Sequence, residues 1–126
     1  MFEIKVEGEF EAAHRIVDYP GKCDRLHGHN WKVEIQIRGT VLDKLGMLID
    51  FKLAKAALME VLAALDHQYL NELEPFRVIN PTAENLAQYI YRVLEKHELF
   101  QAGSAYLAAI RVWESAHSSV TYSKER

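Results

Sequence analysis

The chain has 126 residues, 49% hydrophobic and 26% charged, with a net charge of -3 at neutral pH. That length suits a single domain, residues 1–126, with a real core, and the charge balance leaves no basic footprint for nucleic acid. No apolar run approaches the ~18 residues of a membrane span, the start Met1-Phe2-Glu3-Ile4-Lys5 lacks the basic and apolar regions of a signal peptide, and one cysteine excludes an internal disulfide and fits a reducing cytoplasm.

From Phe2 to His14 the pattern has period two. Phe2, Ile4, Val6, Phe10 and Ala12 share one parity, with Gly8 among them, and Glu3, Lys5, Glu7, Glu9 and Glu11 take the other. This predicts a strand with one wet face, as in an antiparallel sheet, with His14 on the apolar parity. The segment from Ile16 to Arg25 contains Asp18-Tyr19-Pro20-Gly21, a turn signal, and carries Arg15, Lys22, Cys23, Asp24 and Arg25 in or beside it. A second strand follows, with His27, His29, Trp31, Val33, Ile35 and Ile37 on one face and Lys32, Glu34, Gln36 and Arg38 on the other.

A helix is predicted from Phe51 to Leu65, capped by Asp50, with an apolar stripe of Ala54, Ala57, Leu58, Val61, Leu62 and Leu65. A second starts after Pro81, with Thr82 as N-cap and Glu84 favourable to the dipole in the first turn. Its buried stripe reads Leu86, Ile90, Val93, Leu94 and His97, and Gln101 to Ser104 break it. Tyr106 to Glu114 forms a third strand, apolar on both parities: Ala108, Ile110 and Val112 oppose Leu107, Ala109 and Trp113. That suits a strand covered on one face by helices and on the other by a partner subunit. A short last strand spans Val120 to Tyr122. The order β-β-α-α-β-β gives an α+β architecture, a four-stranded antiparallel sheet with two helices on one face.

His27 and His29 lie about 6.5–7 Å apart on one face of a strand, and His14 ends a neighbouring strand on the same kind of face. Three imidazoles with an open fourth position are the usual catalytic zinc set; zinc is preferred to copper or nickel only by availability, since imidazole suits all of them. Cys23 divides the possibilities. As a fourth ligand it closes a structural site; off the metal it is a base or nucleophile, with Arg25, Lys22 or His67 available to lower its pKa. Spacing does not choose between these.

Cys23-x-x-x-His27-Gly28-His29, the upstream Phe10-Glu11-Ala12-Ala13-His14, the Asp66-His67 pair, Asn80-Pro81-Thr82-x-Glu84-Asn85 and Glu114 at the end of the third strand occur here together and in this order. The set resembles the 6-pyruvoyl-tetrahydropterin synthase family, and within it the branch that forms 6-carboxytetrahydropterin for queuosine biosynthesis. The resemblance runs from about Phe10 to Tyr122. It implies the tunnelling fold, trimers whose sheets join into a barrel, and a homohexamer with active sites between subunits. It implies Zn2+ on His14, His27 and His29, Cys23 as proton acceptor, Asp66 and His67 as its activating relay, and Glu114 on the pterin ring and in the relay. Thr82 and Glu84 would lie near the pterin. The implied substrate is 7,8-dihydroneopterin triphosphate, cleaved to 6-carboxytetrahydropterin, acetaldehyde and triphosphate.

Plainer readings stand beside these. Asp66 and His67 are neighbours, about 100° apart on a regular helix, and fit a polar helix end. Glu114 fits a strand-end surface carboxylate, although it shares parity with Ile110 and Val112. Thr82 and Glu84 are explained as helix-start residues. His97 and His117 read as structural or surface. Arg15, Lys22 and Arg25 could hold a triphosphate or be solvated loop charges. The alternative products are a pyruvoyl-tetrahydropterin or another side-chain cleavage product. A non-catalytic, zinc-stabilised oligomeric module is the alternative of another class. No glutamate stands between Cys23 and His27, which argues against the branch that places one there and serves folate synthesis.

Overall fold

A computed structural model describes residues 1–124, Cys23 by its backbone alone. β1 (Phe2–His14) and β2 (His27–Gly39) form an antiparallel ladder with no register break, from Phe2 opposite Gly39 to His14 opposite His27. The alternation read from the sequence sets its two faces. Val6 opposes Ile35, Gly8 opposes Val33 and Phe10 opposes Trp31 on the inner face, while Glu3 opposes Arg38 and Glu9 opposes Lys32 on the outer one.

α1 (Phe51–Ala63) is capped by Asp50, whose side chain accepts the Lys52 N–H at 2.8 Å. Its buried stripe contains Ala54, Ala57, Leu58, Val61 and Leu62, with Leu65 buried just beyond the helix. It crosses β1 at Gly8, where an added Cβ would stand 3.0 Å from Leu62 Cδ1 and 3.2 Å from Leu58 Cδ2. The missing side chain is what lets helix and sheet close there. α2 (Ala83–Leu94) is capped by Thr82 Oγ1, which accepts the Asn85 N–H at 3.1 Å. It buries Leu86, Ala87, Ile90, Tyr91 and Leu94. Val93, expected in that stripe, is 40% exposed, because the face drifts to Tyr91 instead. His97 lies past the helix end and caps the following 3₁₀ turn, accepting the Leu99 N–H at 3.0 Å. Both helices pack on the inner face of the sheet.

The sheet has five strands, not the expected four. β3 (Gln68–Tyr69) pairs in parallel with Ala12 and Ala13 of β1, and the strand order is β3-β1-β2-β4-β5, where β4 is Tyr106–Ser115 and β5 is Ser118–Tyr122. Two residues carry no readable alternation; the short strand exists because the chain leaving α1 is drawn along the β1 edge. The parity expected for β4 also breaks. Ala109 pairs with Gln36 but Leu107 pairs with Ile37, so Ala108 is the extra residue of a bulge. The bulge returns Leu107 to the inner face with Ile110 and Val112, all three in the core. Among the described residues no helix is long and apolar enough to cross a membrane.

Candidate metal centre

Cross-strand register builds the site. His14 lies opposite His27, and His29 is the next same-face residue of β2. The three rings meet edge to face, with centroids 4.5 Å apart for His14–His27, 5.0 Å for His14–His29 and 4.7 Å for His27–His29. One nitrogen from each lies within 4.8 Å of the others. Trp31 closes the site from below, 5.0 Å from His14 and 5.3 Å from His29. It is fully buried, and its Nε1–H donates to the Ala12 carbonyl at 3.3 Å.

Backbone carbonyls set the rings. His14 Nδ1–H donates to the Pro81 carbonyl at 2.8 Å, and His27 Nδ1–H donates to the Arg25 carbonyl at 2.7 Å. A carbonyl only accepts, so each ring holds its proton on Nδ1 and leaves Nε2 with a free lone pair. His14 Nε2 and His29 Nε2 are buried without a hydrogen-bond partner. A buried polar atom left unpaired is costly, and a cation at the centre of the triad would satisfy both. Burial pushes the His14 imidazole below its ordinary pKa, partly offset by the Pro81 carbonyl, and burial does the same to His29 against the opposing pull of Glu114. Neutral imidazoles are the form a metal binds. The residues therefore fit a resident metal ion.

Glu114 stands at the rim, half-buried, with Oε1 3.7 Å from His29 Nε2. It follows Trp113, which pairs with Lys32 of β2, and shares parity with Ile110 and Val112; the family resemblance is what singles it out.

Asp66 and His67 lie beyond α1, so the divergence expected on a regular helix does not apply. His67 takes a left-handed conformation, φ 57°. Its N–H donates to the Glu11 carbonyl at 2.6 Å while the Glu11 N–H donates to Asp66 Oδ1 at 2.9 Å. Both residues are thus pinned to the β1 edge, and His67 Nδ1 lies 2.9 Å from Asp66 Oδ2. The Glu11 amide, then His67, holds the Asp66 carboxyl below its usual range. His67 Nε2 is 3.6 Å from Glu11 Oε2, and the ring is largely exposed. An open cleft of about 630 Å3 has Glu11, Ala13, His29, Asn30, His67 and Tyr69 among its walls, so His67 of the dyad and one triad histidine border the same space.

Cys23 sits in a 3₁₀ turn, Lys22–Asp24, and its side chain lies outside the described part of the structure. Arg15, one of the residues considered for triphosphate, is engaged elsewhere. Its Nε and Nη2 donate to the Asp24 carbonyl at 3.0 Å and to Asp24 Oδ1 at 2.8 Å, tying the turn to the end of β1. Lys22 and Arg25 are exposed. Thr82 caps α2, and Glu84 is exposed in its first turn. The carbonyls of Pro81 and Arg25 are functional groups that no side-chain pattern could reveal. Asn71 lies outside the motifs and Asn80 stands in one without an assigned role, yet Asn71 bonds both backbone groups of Arg15, and Asn80 those of Val17.

Comparison with known proteins agrees with this geometry. The family model described as 6-pyruvoyl tetrahydropterin synthase matches residues 3–125. A Synechocystis protein named 6-carboxy-5,6,7,8-tetrahydropterin synthase is 34% identical, over 100% of this chain and 96% of its own length. A Haemophilus influenzae protein of the same name is 31% identical over 97% and 99%. The solved Caenorhabditis elegans 6-pyruvoyl tetrahydropterin synthase superposes with a TM-score of 0.88 at 26% identity, covering 98% of this chain and 96% of its own. From the pairing of strands to the length matched, these observations agree that the chain belongs to the 6-pyruvoyl tetrahydropterin synthase family.

Proposed function

We propose that the chain, as one domain, is a zinc-dependent lyase that converts 7,8-dihydroneopterin triphosphate to 6-carboxy-5,6,7,8-tetrahydropterin, acetaldehyde and triphosphate, a step towards the 7-deazaguanine of queuosine. The observation that carries the reading is the triad with two buried, unpartnered Nε2 atoms beside a cleft bordered by His67, whose Nδ1 contacts Asp66. The names of the Synechocystis and Haemophilus influenzae relatives favour the carboxy product over the pyruvoyl one.

His14, His27 and His29 would hold the zinc. When bound, the ion supplies Lewis-acid polarisation of side-chain oxygens and so acidifies the neighbouring C–H. The protein's own groups then have separate tasks. Cys23 takes the proton as thiolate, with its turn fixed to β1 through the Arg15–Asp24 fork. His67, oriented by Asp66 on Nδ1, keeps Nε2 as the basic nitrogen that accepts or returns a proton. Glu114 receives the donor edge of the pterin by charge-assisted hydrogen bonds. Thr82 and Glu84 border the pterin at the start of α2.

A homohexamer of two stacked trimers completes the reading, with sites between subunits. The exposed outer edge of β1 from Phe2 to Phe10 and the outer edge of β5 have no partner strand among the described residues, and open edges pair with other chains. The compartment we assign is the cytoplasm.

The test is incubation of zinc-loaded protein with dihydroneopterin triphosphate and mass spectrometry of the pterin. A carboxytetrahydropterin with acetaldehyde is expected. A pyruvoyl product would move the assignment to the neighbouring branch, and an unchanged substrate with folded, loaded protein would refute both. Cys23→Ala is expected to keep zinc and lose turnover; loss of zinc together with folding would make Cys23 a structural ligand.

A further inference from the structure

The outer edge of β1 near the triad is held residue by alternate residue. Glu11 is bonded by Asp66 and His67, and Ala13 pairs with Tyr69 of β3. Past His14 the strand ends, yet the pattern goes on. The Arg15 N–H donates to Asn71 Oδ1 at 2.9 Å, and its carbonyl accepts from Asn71 Nδ2 at 3.0 Å. The Val17 N–H donates to Asn80 Oδ1 at 2.9 Å, and its carbonyl accepts from Asn80 Nδ2 at 3.2 Å. A carboxamide presents the same acceptor and donor as a peptide unit, so each side chain replaces a missing strand residue.

His14 lies in the middle of this run. Asn80 also precedes Pro81, whose carbonyl takes the His14 Nδ1 proton. The Asn80 carbonyl is itself fixed, by the Thr82 N–H at 2.9 Å and Asn85 Nδ2 at 2.8 Å. The chain carrying the ligand and the chain carrying its orienting carbonyl are thus locked together on both sides of the ring.

We infer that Asn71 and Asn80 are positioning residues for the metal centre: their paired bonds to Arg15 and Val17 keep His14 Nε2 aimed at His27 and His29. The inference rests on reading the triad as a metal site. Groups that orient a ligand typically change metal affinity about 10–100-fold when removed, whereas amides that merely tidy a loop change stability alone.

The test compares Asn71→Ala, Asn80→Ala and Asn80→Asp with Asp50→Ala, which removes the α1 cap. Asn80→Asp keeps the acceptor for the Val17 N–H and loses the donor. Cobalt(II) and zinc affinity would be measured by competition with a chromophoric chelator, together with the visible spectrum of the cobalt form and thermal unfolding of the apoprotein. Asn71→Ala and Asn80→Ala are expected to weaken affinity about 10–100-fold and to shift the cobalt bands. Asn80→Asp should fall between them and the parent chain, and it carries the test if Asn80→Ala does not fold. Asp50→Ala should lower stability and leave affinity within about twofold, since it touches no ligand. Folded asparagine variants with unchanged affinity and spectrum would overturn the inference alone. An Asp50→Ala variant that loses as much affinity would do the same. A parent chain that binds neither metal would overturn the metal-site reading and this inference with it.

Discussion

His14→Ala separates what the ring contributes to the fold from what it contributes to the metal. His14 is fully buried, between His27 and His29 and over Trp31. Without metal, the substitution leaves the Pro81 carbonyl without its donor, which costs about 1–3 kcal/mol. It also removes the unpartnered Nε2, which recovers a similar amount. The two polar effects nearly cancel, and what remains is lost packing of a small, part-polar ring. That is about 2 kcal/mol, the low end for a buried large-to-small change. With metal the balance differs. The parent chain gains about 4 kcal/mol at free zinc a thousandfold above its dissociation constant. Two histidines in place of three should reduce that gain to below about 1 kcal/mol. Urea unfolding followed by circular dichroism, at one protein concentration, in chelator and in excess zinc, measures both. The gap between variant and parent should widen from about 2 to about 5 kcal/mol on adding zinc. A gap of the same size in both conditions would refute the reasoning.

Two further outcomes test the dyad. His67→Gly relieves a left-handed residue, φ 57°, so denaturant unfolding should show it unchanged or up to about 1 kcal/mol more stable, while turnover is lost; a destabilised variant would mean that the Asp66 contact outweighs backbone strain. Asp66 has its carboxyl held below its usual range by the Glu11 amide and His67. A lowered folded pKa contributes stability that is full above the unfolded pKa and is lost as pH falls through the folded one. The urea midpoints of the parent and Asp66→Ala should therefore differ at about pH 5 and converge as the pH falls through the lowered carboxyl pKa; a difference that persists at about pH 2 would assign the effect to something other than the charged form.

The parts of the fold that could be read in advance were those with a period. Thirteen alternating residues in each of β1 and β2 define two faces before any contact is known, and that parity alone put His14, His27 and His29 on one surface. Asp50 and Thr82 marked both helix starts because an oxygen acceptor is needed where helical N–H groups lack partners. What stayed hidden had no period. β3 is two residues long, and the bulge at Ala108 reverses a parity that the sequence shows as uniform. The Asp66–His67 contact depends on a left-handed residue beyond α1, which helical geometry would have placed elsewhere. The orienting carbonyls of Pro81 and Arg25 are common to every residue type. Arg15, a plausible anion binder from its loop position, turned out to be occupied by Asp24, a partner that only the folded loop brings within reach.

The unbroken ladder between β1 and β2 also limits how the chain can change length. Each ligand is placed by counting residues along two strands that meet in strict one-to-one correspondence. Inserting or deleting a single residue in either strand would turn a histidine to the opposite face of the sheet unless a bulge absorbed it. A family built on this pair can lengthen or shorten freely in the segment between His14 and His27, or beyond the strands' far ends, and hardly at all between. Length variation among homologues, and any engineered insertion that is to keep the metal, should therefore be confined to those two places.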